Sequence, residues 1–214
     1  MLRIFLCVIS MFLGSVSAAS AQNFYQCEKT ELAALGDALK GAHNIGLRAA
    51  VAIGDTENYR RWFGPYSKNN AEVARTTLKA IYTTIATGQI RVICLNSDDE
   101  GCEDETYAFV YPDEAFVLNI CPQYFELPTM LTDRPESGNM DNGTREGTMI
   151  HEISHFIRVA ATDDIWYSRI TCEAEAQTDP RSAVRNADTY QYFTEDSTFY
   201  PTPLADQPGL DRCR

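Results

Sequence analysis

Residues Glu146 to Ser168, EGTMIHEISHFIRVAATDDIWYS, decide how this chain is read. They hold two of its three histidines, His151 and His155, in the spacing H-E-x-x-H. A helix turns once in about 3.6 residues, so positions i and i+4 project from one face and can address one ion. Met149, Ile153, Phe156 and Ile157 fall on the other side and are expected to bury against a core. Thr148 is a candidate cap, and neither Pro nor Gly interrupts 149–160. Two imidazoles with Glu152 between them form the pattern of a zinc-hydrolase helix, with Glu152 in reach of a water at the metal.

Catalytic zinc sites use three protein ligands and leave one position for water. The third ligand is open on spacing alone. A histidine six residues beyond His155 is excluded, because Ala161 stands there and Arg158 occupies the place of the accompanying glycine. Downstream glutamates remain, Glu173 and Glu175, as do the nearer carboxylates Asp163 and Asp164.

A resemblance separates these options. Ala161-Thr-Asp-Asp164-Ile-Trp-Tyr167-Ser168 resembles the Gly-Thr-x-Asp-x-x-Tyr-Gly signature of the deuterolysin family, the aspzincins. Asn186-Ala-Asp188 with Tyr192-Phe193 is similar to a second segment of that family. Trp62-Phe63-Gly64, Phe109-Val110-Tyr111-Pro112 and Cys121 resemble landmarks of its peptidyl-Lys metalloendopeptidases. The likeness implies Asp164 as third ligand and Tyr167 as a catalytic helper. It also implies a lysine pocket in which Asp188 keeps its acid while Gln191 stands where a second acid belongs. Lysine preference is therefore expected to be partial. Ala161 and Ser168 replace both signature glycines, where a positive φ is the usual reason for glycine.

Residues 1–21 read as a secretory signal peptide: Arg3, an apolar run from Ile4 to Leu13, then Ala19-Ser20-Ala21. That run is too short to remain as a membrane span. A single domain is expected over 22–214, secreted or periplasmic, with no membrane anchor after cleavage, and monomeric. Eighteen basic against 30 acidic residues, net −12, argue against nucleic acid and anionic lipid as partners. Outside the signal lie Cys27, Cys94, Cys102, Cys121, Cys172 and Cys213, an even set that suits three disulfides in an exported chain. The resemblance implies Cys27–Cys94 and Cys102–Cys121, which leaves Cys172–Cys213.

Apolar spacing predicts helices over 30–53, loosened at Gly36, Gly41 and Gly46, and over 69–86 with Val73, Thr77, Leu78 and Ile81 inward. Tyr59, Trp62, Phe63 and Tyr66 read as core. Strands are expected over 90–95, 106–111 and 115–120, the last two as a hairpin, with helices again over 171–177 and 182–193. The acidic segment 96–105 reads as a solvated loop. Helices, then strands, then helices imply an α+β, zincin-like metalloprotease domain, disulfide-stapled, its helices packed on a small, mostly antiparallel sheet.

The chemistry expected is hydrolysis of protein or peptide substrates. One Zn²⁺ would sit on His151, His155 and Asp164, with Glu152 as general base and Tyr167 donating to the oxyanion. Two other readings stand beside it: a zincin ligated by Glu173 or Glu175, and a non-catalytic secreted binding protein on a zincin scaffold.

Overall fold

The computed structural model describes residues 23–102, 106–131 and 143–199. The expected signal peptide, the tail with Cys213 and part of the acidic loop lie outside them. The fold is α+β, with seven described helices and one four-stranded sheet. Helix α1 (Lys29–Ala52) is unbroken, unlike the loosened helix expected from its glycines. Tertiary packing explains the difference. A Cβ at Gly41 would lie 2.6 Å from Glu146 Cγ, and one at Gly46 3.2 Å from Ile150 Cδ1. These glycines let α1 approach the histidine helix closely, and that contact outweighs their poor helix propensity.

Helix α2 (Glu57–Phe63) starts at Thr56, whose side chain accepts from Tyr59 N at 3.1 Å. It buries Tyr59, Trp62 and Phe63 completely, whereas Tyr66 stays at the rim. Helix α3 (Lys68–Ala86), capped by Ser67, turns Ala71, Ala74, Leu78 and Ile81 inward. Val73 points outward, against expectation.

Strands β1 (Asn23–Tyr25), β2 (Arg91–Cys94), β3 (Ala108–Phe109) and β4 (Val117–Ile120) lie in the order β1-β2-β4-β3. The sheet corrects the expected strand directions. β1 with β2 and β2 with β4 are parallel, and only the hairpin pair β3 and β4 is antiparallel. The reason is connectivity: α1, α2 and α3 form a crossover that returns β2 in the direction of β1, which a tight turn cannot do. Disulfide Cys27–Cys94 joins the β1 end to β2, and Cys102–Cys121 ties the acidic loop to the end of β4. Cys213, the partner expected for Cys172, lies outside the described residues. Cys172 is a fully buried free thiol whose sulfur faces Trp166 O and the Asn186 amide rather than the surface.

Helix α4 (Arg145–His155) carries the histidines and packs against α1 and α7. It starts at Thr144 rather than Thr148 and stops at His155, so Ile157 is exposed while Met149, Ile153 and Phe156 are buried. Helices α5 (Arg169–Thr178), α6 (Pro180–Ala183) and α7 (Ala187–Phe199) complete the described chain. No described helix is long and apolar enough to cross a membrane.

Two glycine substitutions separate propensity from packing. A Cβ at Gly36 meets nothing within 4 Å, so Gly36→Ala is expected to stabilise by about 0.5–1 kcal/mol. A Cβ at Gly147 would lie 2.1 Å from Glu195 Oε1, so Gly147→Ala is expected to destabilise by about 1–3 kcal/mol. Chemical denaturation of both variants measures these opposite signs.

Candidate metal centre

The histidine helix is held at its first turn by a buried polar network. Thr144 Oγ1 accepts from Gly147 N at 3.0 Å, an ordinary N-cap. Thr144 N and Oγ1 both donate to Glu195 Oε1, at 2.8 and 2.9 Å. Arg169 in turn donates to Glu195 Oε2 and to Asp196 Oδ1, each at 2.8 Å. Its guanidinium lies over the rings of Trp62 and Tyr192, and Trp62 Nε1 donates to Asp196 Oδ2 at 2.9 Å. Buried charges on α5 and α7 thus set the start of α4.

At its other end α4 stops abruptly and the chain doubles back. Ala161 takes φ +49°, and Thr162 returns alongside the helix. Thr162 O lies 2.9 Å from His155 Nδ1, and Thr162 N donates to Ser154 O at 3.2 Å. The following loop is pinned by Asp163, whose N donates to Arg185 O and whose O accepts from Ala187 N. Asn186 Oδ1 accepts from both Ile165 N and Trp166 N at 2.9 Å.

These bonds deliver Asp164 to the histidines. Its Oδ1 lies 3.1 Å from His151 Nε2 and 3.3 Å from His155 Nε2. In a tetrahedral site with bonds of about 2.0–2.1 Å, neighbouring ligand atoms stand about 3.3 Å apart. The donor set fits one zinc ion. The distal nitrogens are also engaged as such a site requires: His155 Nδ1 on Thr162 O, and His151 Nδ1 at 2.8 Å from Asp188 Oδ1. The latter is an ionic contact rather than a straight hydrogen bond. Among the described residues one other group has metal-like spacing, Cys27, Glu31 and Cys94, and its cysteines are spent in a disulfide.

Electrostatics follow from this packing. Burial would raise Asp164, but the two imidazoles hold it far below the usual carboxylate range. Burial opposes charge on His151, yet contacts with Asp164 and Asp188 raise it well above its ordinary value. Glu152 is buried in the cleft wall and desolvation pushes it up to about 7. Tyr167 is 61% exposed at the cleft mouth; burial of its hydroxyl end and the Asp164 charge push it up to about 12.

The cleft, of about 560 Å³, is walled by Thr106–Ala108 on one side and by Thr148, His151, Glu152, Asp164, Tyr167, Ser168, Asp188, Gln191 and Tyr192 elsewhere. It therefore gathers every expected site residue except His155, which stands behind Asp164. Glu173 and Glu175 are exposed on α5 and do not join the ligand cluster. Asp163 is turned away to Arg185. Asp188 lines the cleft, touches His151 with one oxygen and accepts from Ser168 N and Tyr192 OH with the other. Three roles were missed in the sequence, those of Asn186, Glu195 and Arg169. Asn186 stood in a family segment; the others carried no local signal.

The model of a family described as lysine-specific metallo-endopeptidase matches residues 48–195, most of the chain. The protein belongs to the aspzincin family. It is 32% identical over 184 residues to an extracellular protease of Aeromonas hydrophila, covering 86% of this chain and 49% of that protein. A peptidyl-Lys metalloendopeptidase of Armillaria mellea is 31% identical over 143 residues, 66% of this chain and 36% of its own. One from Pleurotus ostreatus is 27% identical, covering 81% of this chain and 96% of its own. The chain spans about half or less of the length of the first two relatives. A zinc peptidase structure from Grifola frondosa superposes with TM-score 0.67 at 24% identity, over 80% of this chain and 98% of the other, and shares its fold.

Both positions where the resembled signature has glycine, Ala161 and Ser168, take positive φ here. Ser168 has φ +70° and ψ 150°, a region that non-glycine residues occupy at a cost of about 1–3 kcal/mol. Ala161 carries a smaller left-handed penalty. Ser168→Gly loses the side-chain bond to Thr171 N, worth a few tenths of a kcal/mol relative to glycine. Net stabilisation of about 1 kcal/mol is therefore expected for Ser168→Gly, and a lesser gain for Ala161→Gly. Thermal denaturation of the single and double variants tests both.

Proposed function

We propose that this protein is a zinc-dependent metalloendopeptidase acting on protein or peptide substrates. The observation that carries the proposal is the convergence of His151, His155 and Asp164, with Glu152 buried beside them in an open cleft. The residues fit one Zn²⁺, which when bound polarises the scissile carbonyl and acidifies water. Glu152 takes the proton of the attacking water and passes it to the leaving amine; its raised affinity for protons suits both directions of transfer. Tyr167, held protonated, donates to the developing oxyanion from the cleft mouth. Asp188 and Thr162 O orient the two imidazoles.

Among the described residues strand β3 pairs with β4 alone and lies at the sheet edge, and Thr106–Ala108 form a cleft wall. An extended peptide can add to that edge through main-chain hydrogen bonds, which grip varied sequences alike. Two disulfides and the extracellular relative support secretion, and the protein is taken as a monomer. The peptidyl-Lys relatives suggest some lysine cleavage, but strict selection is not proposed because Asp188 is already engaged.

Metal analysis and casein hydrolysis test the proposal. The purified protein is expected to hold one zinc and to lose activity to a chelator. Glu152→Gln should keep the zinc and lose about 10²–10⁴-fold in kcat. Tyr167→Phe should lose about 10²–10³-fold with KM little changed. Asp164→Ala should lose zinc, whereas Glu173→Ala and Glu175→Ala should not. Zinc retention by Asp164→Ala, or full hydrolysis by Glu152→Gln, defeats this assignment. A stable zinc centre without hydrolysis favours the binding-protein reading.

A further inference from the structure

Gln191 is a cleft side chain that the mechanism leaves unused. Gln191 is 4% exposed and lines the cleft, one helical turn beyond Asp188 on α7. Among the described residues its side-chain amide makes no hydrogen bond, although the groups around it are paired. Room for it is built into the backbone. A Cβ at Gly143 would lie 1.7 Å from Gln191 Nε2, and one at Gly147 2.9 Å from its Cγ.

The neighbouring carboxylates are committed. Asp188 already meets His151, Ser168 N and Tyr192 OH. Glu195 is bonded to Thr144 and Arg169. A lysine ammonium entering here would shed its water beside carboxylates already engaged by other donors. It could donate to the amide oxygen, but it would leave the amide N–H groups unmatched. A primary carboxamide offers a donor and an acceptor together and can satisfy both ends of Gln191. The amide faces the cleft, and once a substrate side chain covers it and excludes water, an isostere that cannot bond to it leaves its groups unmatched and is discriminated against.

Resting on the peptidase reading above, we infer that Gln191 makes this cleft select a substrate side chain ending in a carboxamide at least as well as lysine. The hydrogen-bonding partner is the glutamine or asparagine of a protein substrate.

The test uses two peptide series, with the variable residue immediately before or after the scissile bond, and glutamine, methionine or lysine at that position. In one series kcat/KM for glutamine should be at least tenfold that for methionine and no lower than that for lysine. Gln191→Met should cut the glutamine-to-methionine ratio about tenfold while still cleaving the methionine peptide. Gln191→Glu should move the preference at least tenfold toward lysine. Binding of the same peptides to the zinc-loaded Glu152→Gln protein, read by calorimetry, should rank them in the same order without turnover. A wild-type preference for lysine above tenfold overturns the inference, as does a ratio unmoved by Gln191→Met. If wild type binds in the expected order but cleaves nothing, the inference stands and the peptidase reading falls.

Discussion

One carboxylate oxygen must come within little more than 3 Å of each of two imidazole nitrogens, and this contact governs the surrounding structure. The histidines are easily supplied, since one helix face carries both. The carboxylate is harder, because Asp164 lies beyond the end of that helix and must return toward it. The chain achieves the return by ending α4 at His155 and reversing through Ala161. The Asp164 carboxylate contacts and attracts both imidazoles, and the three groups occupy the positions of a ligand set. Their attraction stabilises the preformed geometry, which lowers the ordering cost that a cation would otherwise meet.

The strain at Ala161 and Ser168 makes sense against that demand. Both residues flank the ligand loop, and both adopt backbone conformations that glycine takes without penalty. The loop does not relax because it is over-determined. Asn186 holds two of its amides, Asp163 is paired with the Arg185 segment on both sides, and Asp188 takes the amide of Ser168 itself. Several hydrogen bonds of about 1 kcal/mol each exceed the local strain. A weaker loop with the same two residues would lose the Asp164 position first.

Legibility in the sequence followed sequence distance. His151, Glu152, His155, Asp164 and Tyr167 lie within one short segment, so helical periodicity and a local signature sufficed to place them. The partners that orient them come from α7 and α5, and a lone Asn186, Glu195 or Arg169 looks like any surface polar residue until the fold is known. Three-residue β1 carries too little pattern to register as a strand. The sheet directions depended on a crossover of three helices, which alternation along a strand does not report. Glycines in α1 were read by intrinsic propensity, while their use is close approach to α4. The contact of Asp188 with His151 joins residues far apart in the sequence, and no local pattern reports it.

Helix α7 joins two tasks that sequence alone keeps separate. Asp188 and Gln191 face the cleft, while Glu195 and Asp196, about one turn further on, hold Thr144, Arg169 and Trp62. Glu195 is pushed up to about 7 by burial even with Arg169 beside it, so its charge is barely accommodated. An acid at position 191 would add a second carboxylate one turn from Glu195 and another from Asp188, with Arg169 already bonded to Glu195 and Asp196. Like charges at such spacing oppose each other, and more strongly where water is excluded. The neutral amide avoids that conflict and keeps the Glu195 carboxylate available to the cap of the histidine helix. Uncharged recognition in the cleft and a firmly held metal helix are thus two consequences of the same residue.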